Sequence, residues 1–535
     1  MRDPIAEGLA AGWNVIDASR LASDLTLEAD VAIVGTGAGG GVTAEILARS
    51  GLRVVMIEEG PLKGTHDFRM RESEAYPQLY QESAARKSRD KAVNILQGRC
   101  VGGSTTVNWT SSFRTPEATL LFWREHYGLA EYSSAELDPW FETMERRLGI
   151  RPWTVAPNEN NDILRRGAEK LGIPVAGIRR NVNGCWNLGY CGTGCPTNAK
   201  QSMLVSTIPA ALKLGAVLLT RARVQTLRIE ADRVSGVECV AMEADGIVPG
   251  SHRIVLHTRH VVLAAGAIGS PAVLLRSGAP DPHGRTGVRT FLHPTVVCAA
   301  IMPERVAGFS GAPQTVYSDH FLGIDPIDGP LGFKLEAPPL HPVLFSTTLH
   351  GYGEAHARLM AQFSHTHALI ALLRDGFHPD SQGGRVELRG DGTPVVDYPL
   401  VEPFWEGARR ALLAMAEIQF AAGAKSVFVV DDRCGGYSSW PEARSAIAAL
   451  DLKPLLTRVV SAHVMGGCGM SADPRAGVAD GRGRHHQLAQ LSIFDGSVFP
   501  TSVGANPQLS IYGMVARNAS LLARELTGKP APQIA

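Results

Sequence analysis

The hydrophobic pattern near the start of the chain predicts a strand, a glycine-rich turn, a helix and a second strand in succession. The run Val31–Val34 is wholly apolar, as in a strand buried on both faces of a parallel sheet. The turn Gly35–Gly40 follows, and a helix is expected over about Val42–Ser50. A second strand, Arg53–Ile57, ends at Glu58, so the segment predicts a β-α-β unit.

The glycine spacing in this unit is that of a dinucleotide-binding turn. Gly35 allows the tight turn, Gly37 lets the backbone approach a pyrophosphate, and Gly40 lets the helix pack against the strand. The phosphates would then lie at the positive end of the helix. Glu58 follows Gly35 by 23 residues, close to the roughly 20 expected for a carboxylate that binds a ribose hydroxyl.

Later parts of the chain alternate between predicted helices and predicted strands. Residues 116–150 predict helices, Val217–Leu219 and Val234–Val240 predict strands, and His260–Gly266 predicts another buried strand that ends at glycine. A final helix is expected over Ile511–Leu526. There are no internal repeats. The pattern predicts an α/β protein in which a Rossmann-like nucleotide domain, assembled from separated segments, holds an inserted α+β domain.

Composition and charge narrow the class of partner. The chain has 535 residues, 44% of them hydrophobic, which is enough for two or three folding units. Lys plus Arg and Asp plus Glu both number 52, so neither nucleic acid nor an anionic membrane is expected as the main partner. No secretory or twin-arginine signal and no transmembrane segment is evident, and the eight cysteines fit a reducing cytoplasm. Peripheral contact with the inner membrane is left open.

Four motifs follow one another along the chain: Gly35–Gly40, Gly98–Asn108, Ala265–Pro271 with Leu274–Gly278, and the pair His463 and Asn506. Their types and order resemble those of the glucose-methanol-choline (GMC) flavin oxidoreductases, and the resemblance spans nearly the whole chain. Members of this family use FAD and oxidise alcohols by hydride transfer to the flavin. Within the family the chain is most similar to long-chain fatty-alcohol oxidases and dehydrogenases, on the evidence of Cys191–Ser202.

The resemblance implies a division of the chain into an FAD-binding domain in three parts and a substrate-binding domain. We expect an N-terminal arm at 1–29, FAD-binding parts at 30–150, 205–295 and 456–535, a cap with a Cys-rich loop at 151–204, and the substrate-binding domain at 296–455.

Several residues are implied as cofactor contacts. The loop Gly102, Gly103 and Ser104 carries two glycines that remove Cβ obstruction, and by resemblance it lies with Asn108 along the isoalloxazine ring. Some family members attach FAD through a histidine just before this asparagine, but Val107 stands there, so non-covalent FAD is expected. The remaining implied contacts are Val224 with adenine, Asp495 and Gly496 with phosphate or ribityl groups, and Ala265 and Pro507 within their motifs.

Alcohol oxidation needs a base that removes the hydroxyl proton while hydride leaves the carbon. By resemblance His463 is this base, and Asn506 holds the substrate oxygen by hydrogen bonding, since an asparagine cannot act as a base. His293 is expected to be structural, and His485–His486 is expected in an exposed loop rather than at a metal.

A cysteine cluster allows two interpretations. Cys185, Cys191 and Cys195 fall within eleven residues and are either free thiols of a structural loop or ligands of an iron–sulfur cluster. Zinc fits less well because a fourth ligand is missing, and a disulfide is disfavoured by the expected compartment.

The leading hypothesis is therefore an FAD-dependent oxidation of a small-molecule alcohol, a primary alcohol with a long aliphatic chain, to the aldehyde. The apolar segments Leu359–Phe363 and Ala368–Leu373 agree with a long chain or with ordinary core. The alternatives are a sugar, polyol or sterol dehydrogenase with a cytochrome-type partner, and a non-catalytic flavoprotein. Oxygen, a quinone and a cytochrome all stay open as electron acceptor.

Overall fold

The structure is a computed structural model that describes residues 3–349 and 351–534. Its strands are β1 Val15–Asp17, β2 Leu25–Val34, β3 Val54–Ile57, β4 Val93–Ile95, β5 Ile150–Pro152, β6 Ala176–Gly177, β7 Arg179–Asn181, β8 Val217–Thr220, β9 Ala222–Glu230, β10 Arg233–Met242, β11 Pro249–Leu263, β12 Val288–Phe291, β13 Thr295–Ile301, β14 Val316–Ser318, β15 Phe333–Glu336, β16 Thr366–Leu373, β17 Gly384–Leu388, β18 Pro394–Asp397, β19 Ser426–Val429, β20 Val459–Ser461, β21 Met465–Gly466 and β22 Leu491–Ile493.

The helices are α1 Pro4–Ala10, α2 Ala38–Arg49, α3 Glu72–Leu79, α4 Ser104–Val107, α5 Glu117–Tyr127, α6 Ser134–Arg147, α7 Glu159–Lys170, α8 Thr207–Lys213, α9 Gly266–Arg276, α10 Pro342–Thr348, α11 Gly353–Ala361, α12 Glu402–Ala421, α13 Trp440–Ala449 and α14 Gln508–Thr527. No helix of the described ranges is long and apolar enough to cross a membrane.

The first sheet has eight strands, in the order β1-β8-β3-β2-β11-β10-β9, with β22 pairing β11. Strands β1, β8, β3, β2 and β11 run parallel, whereas β10 and β9 are antiparallel to their neighbours. Strand β11 is long because its first part pairs β10 and its last three residues pair β22. The predicted Rossmann-like α/β domain is confirmed by this sheet.

Helix α2 is the element that brings the glycine turn to the sheet. It packs against α14 and α8, and its residues from Gly39 to Ala48 are buried. The predicted helix is confirmed, but it begins at Ala38 instead of near Val42. Strand β2 precedes α2 in the chain and β3 follows it, and these strands contribute the fully buried side chains of Val31, Ile33 and Met56. Burial of each side chain contributes about 1.5–3 kcal/mol of hydrophobic stabilisation.

The second eight-stranded sheet follows the order β4-β20-β13-β16-β15-β14-β6, with β19 pairing β13. Helix α12 covers one face, where it packs against β13, β16 and β19. The other predicted elements are present: helices α5 and α6 within 116–150, strands β8 and β10, and the C-terminal helix α14. The domain boundaries stay a prediction. Strand β1, which lies in the predicted arm, pairs β8 at the edge of the first sheet.

Candidate active site

A cavity of about 750 Å³ opens at the carboxyl ends of β2, β3 and β11, the edge at which parallel α/β sheets bind ligands. It brings together most of the residues that the sequence selected. Gly40 and Gly102 lie outside its lining. The predicted site residues that line it are Gly35, Gly37, Glu58, Gly103, Ser104, Asn108, Val224, Ala265, His463, Asp495, Gly496, Asn506 and Pro507.

At Gly37 and Gly103 the cavity is lined by backbone without side chains, a surface that we call the glycine cradle. A Cβ added to Gly103 would lie 2.8 Å from the Cα of Gly37, so the two glycine loops touch without side chains. Gly103 has φ +53° and Gly102 φ +87°, a region that favours glycine. A Cβ on Gly40 would overlap the carbonyl oxygen of Gly35, which makes Gly40 a packing residue behind the cavity. Bare backbone at a helix N-terminus fits the pyrophosphate and flavin of FAD.

Glu58 is buried and fastens the first glycine turn. One carboxylate oxygen accepts from the backbone N–H and the hydroxyl of Thr36, and the other accepts from the N–H of Gly60 at 3.0 Å. Burial raises the pKa of this carboxyl group, although these hydrogen bonds oppose the rise. The side chain lines the cavity, so its placement suits the predicted ribose contact.

Asp495 ties the third glycine motif to the C-terminal part of the chain. Its carboxylate accepts from the N–H of Gly266 at 2.9 Å, from the hydroxyl of Ser270, and from the N–H of Ser497 at 2.8 Å. Burial raises the pKa of Asp495. The residue therefore fixes the start of α9 against the segment that leads to Asn506.

Asn108 is held in place through both its amide nitrogen and its backbone carbonyl. The amide nitrogen donates to Gln508 Oε1 at 2.7 Å, and the carbonyl accepts from the buried Lys200 ammonium at 2.6 Å. The same ammonium donates to the carbonyls of Thr106 and Cys191. Lys200 thus joins α4 and Asn108 to the Cys-rich loop.

His463 contacts a second histidine, His293, which was expected from the sequence to be structural. The Nδ1 atoms of His463 and His293 are 3.1 Å apart. Burial lowers the pKa of His463 to about 3, with a further contribution from the positive charge of Lys334. Burial also lowers the pKa of His293, which has no exposed surface. Both rings are therefore neutral at neutral pH.

The chain holds His293 firmly in this position. The residue adopts φ +47°, and the carboxylate of Asp375 accepts from its backbone N–H at 3.2 Å and from that of Leu292 at 3.1 Å. The hydroxyl of Ser461 donates to the carbonyl of Leu292, which connects β20, just before His463, to the His293 segment. A carboxylate that bonds two consecutive backbone groups offsets the strain of the left-handed backbone.

Two contacting imidazole Nδ1 atoms impose a tautomer. Only one of them can carry the proton in the shared hydrogen bond, and the other must present a lone pair. If the proton is on His463, its Nε2 is left with a lone pair and can accept a proton from a ligand in the cavity. The geometry suits His463 to act as a base, and the lowered pKa keeps its ring neutral.

Asn506 belongs to a buried polar network. Its amide nitrogen donates to Glu336 Oε2 at 3.4 Å, and its own oxygen has no hydrogen-bond partner within the protein. Glu336 also accepts from Gln314 and lies 3.8 Å from the ammonium of Lys334. Lys334 and Glu336 are both buried.

The cysteine cluster lies outside the cavity lining. Arg180 donates to the sulfur of Cys191 at 3.8 Å, Cys195 contacts the hydroxyl of Thr197, and Cys185 accepts from a backbone N–H. All eight cysteines are free thiols. Across residues 3–349 and 351–534, no group of three His, Cys, Asp or Glu side chains is placed to hold a metal ion. The iron–sulfur alternative is therefore not supported.

Sequence reasoning missed His293, Lys334, Glu336 and Gln508 as members of this region. Gln508 lies two residues after Asn506, in the same motif. That position was the signal that could have identified it. The expectation of an exposed loop at His485–His486 is wrong for His485, which is buried and accepts from the N–H groups of the two residues after His486.

The chain is similar in sequence to known proteins. Two family models, both described as GMC oxidoreductase, match residues 76–295 and 379–515. An uncharacterised GMC-type oxidoreductase of Sinorhizobium fredii is 30% identical over 506 residues, which cover 93% of this chain and 95% of that protein.

A long-chain-alcohol oxidase of Arabidopsis thaliana is 28% identical over 509 residues, which cover 91% of this chain and 65% of that protein, so the chain spans slightly less than two thirds of this relative. Among solved structures, a formate oxidase of Aspergillus oryzae examined for FAD modification has a TM-score of 0.68 at 17% identity, covering 94% of this chain and all of that one. This last likeness supports the fold.

Proposed function

Because the chain belongs to the GMC oxidoreductase family, we propose that it oxidises a primary, long-chain aliphatic alcohol to the aldehyde. Family membership carries the coarser statement that the protein is an FAD-dependent oxidoreductase acting on CH–OH donors. When bound, FAD supplies the hydride acceptor. The observation that carries the proposal is that His463 and Asn506 line the same cavity as the glycine cradle.

The proposed roles of the two residues follow from their contacts. The alcohol hydroxyl gives its proton to Nε2 of His463, whose Nδ1–H stays bonded to His293. Asn506 bonds Glu336 through one N–H of its amide nitrogen, and its second N–H donates to the substrate oxygen and orients it. The lowered pKa of His463 keeps its ring neutral, which is the form that can accept a proton.

The cofactor contacts are proposals of the same kind. Gly35, Gly37 and the N-terminus of α2 hold the pyrophosphate, Glu58 the ribose, and Val224 the adenine. Gly103, Ser104 and Asn108 lie along the flavin, with Asp495, Gly496 and Pro507 near it. Val107 occupies the place of a covalent attachment residue, so FAD is held without a covalent bond.

The substrate and the acceptor rest on similarity. The Arabidopsis relative is by name a long-chain-alcohol oxidase, so we propose a long aliphatic chain and dioxygen as the electron acceptor. The aldehyde and hydrogen peroxide would be the products.

The test is single-turnover reduction of the bound flavin by a primary alcohol without oxygen, in the wild type and in His463→Ala. We expect His463→Ala to keep bound FAD but to reduce it about 10²–10⁴-fold more slowly. His126→Ala, a change at an exposed helical histidine outside the cavity lining, serves as the matched control. An unchanged reduction rate in His463→Ala would show that the base is another group.

A further inference from the structure

Two charged residues are buried beside the cavity without a role in the function proposed above. Lys334 and Glu336 lie on β15, where alternate residues point to opposite faces of the sheet. Phe333 and Leu335 belong to the core packed by α12. Lys334 and Glu336 therefore point away from that core and towards Asn506.

Burial lowers the pKa of Lys334 to about 7, and the neighbouring Glu336 carboxylate opposes this fall. Nζ lies 2.9 Å from the ring centroid of Phe113, 4.3 Å from that of Tyr317 and 3.8 Å from Glu336 Oε1. Tyr317 is also the register partner of Glu336 across β14 and β15. Two aromatic faces and one carboxylate are the partners that a desolvated ammonium needs.

Glu336 makes the contacts that connect this cation to the site. Its Oε2 accepts from the amides of Gln314 and Asn506. Gln314 and Asn506 both line the cavity. The carboxylate thus fixes which end of the Asn506 amide faces it, because an ionised carboxylate accepts only N–H donors.

Glu336 and the exposed Asp319 are the acidic groups that face Lys334. Burying a charged pair is costly and gives little net stability, so its presence next to the site calls for another reason.

We propose that Lys334 and Glu336 form a buried pair that positions Asn506 at the edge of the cavity. Both are positioning residues: Glu336 acts through the Asn506 amide, and Lys334 acts through its contact with Glu336. The inference rests on the proposed function, because it serves the role given there to Asn506.

The contact with Asn506 is tested without catalysis, by NMR of the side-chain amides in the cofactor-free, ¹⁵N-labelled protein. The Asn506→Ala spectrum assigns the Asn506 amide signal. Glu336→Gln removes the carboxylate that accepts from this amide and should shift the signal, and Lys334→Met, which removes the partner of Glu336, should shift it too. Lys425→Met, at an exposed lysine just before β19, is the matched control. An Asn506 signal that is unchanged in Glu336→Gln would overturn the proposal.

The positioning effect is tested by a double-mutant cycle on the rate of flavin reduction at saturating alcohol. Glu336→Gln and Asn506→Ala should each slow reduction, and the double variant should be no slower than Asn506→Ala alone. Additive losses would contradict action through Asn506. If no alcohol reduces the wild-type flavin, the proposed function fails, and the Asn506 amide spectrum still decides whether Glu336 positions Asn506.

Discussion

Two glycines of the first turn serve different purposes, and alanine substitution separates them. In Gly37→Ala the new Cβ finds no heavy atom nearer than the Cα of Gly103 at 3.9 Å, so the protein itself has room for it. In Gly40→Ala the Cβ overlaps the carbonyl oxygen of Gly35, which is backbone and cannot swing aside. Gly37 has a negative φ of −67°, so alanine meets no left-handed strain there.

Gly37→Ala is expected to change the affinity for FAD, whereas Gly40→Ala is expected to change the folding stability. Gly37→Ala places a methyl group between two cavity loops, where FAD phosphate is proposed to approach. Loss of one charge-assisted hydrogen bond, about 1.5–3 kcal/mol, would raise the Kd for FAD roughly 10–100-fold. Gly40→Ala forces α2 away from β2, and overpacking of this kind costs about 1–3 kcal/mol of folding stability.

The assay measures both quantities on each variant. Thermal unfolding of the cofactor-free protein reports stability, and quenching of flavin fluorescence on titration of FAD reports affinity. We expect Gly37→Ala to unfold like the wild type but to bind FAD weakly, and Gly40→Ala to unfold at a lower temperature. If Gly37→Ala lost stability while it kept wild-type affinity, the assignment of Gly37 to the phosphate would be refuted.

Three further predictions concern the site. Because burial lowers the pKa of His463 to about 3, the rate of flavin reduction should stay level as the pH falls from 8 to 5, and a loss centred near pH 6.5 in stopped-flow measurements would contradict a buried neutral base. His293→Phe removes the partner of His463 Nδ1 and should slow flavin reduction roughly 2–10-fold, the value of one hydrogen bond, with FAD affinity unchanged in the same fluorescence titration. Asp495→Ala leaves the N–H of Gly266 without its acceptor, so urea unfolding should show a loss of about 3 kcal/mol, and an unchanged midpoint would refute the anchoring role.

Local motifs were predictable because each carries its own physical requirement. The strand, turn and helix around Gly35–Gly40 need apolar burial and bare backbone at fixed spacing, and the structure has them there. The start of α2 was misplaced because Ala38–Gly41 is poor in helix formers. Packing decides it instead: Gly39 lies so close to the carbonyl of Phe494 that only glycine fits.

The polar partners of the site were not predictable because they depend on distant pairings. His293 and His463 are 170 residues apart in the sequence. They come together because β12 pairs β21 and β13 pairs β20. The alternation of Phe333–Glu336 is the pattern of a half-exposed strand, yet all four residues are buried. No local signal marks Lys334 and Glu336 as a buried pair.

The most direct test of the proposed function is an anaerobic visible-absorbance titration of the FAD-loaded protein with 1-dodecanol, beside parallel titrations with glycerol and sorbitol. We predict that the flavin bands bleach with 1-dodecanol, in proportion to the alcohol added, and that dodecanal is formed. Bound FAD that keeps its absorbance with 1-dodecanol, or that bleaches only with the polyols, would contradict it.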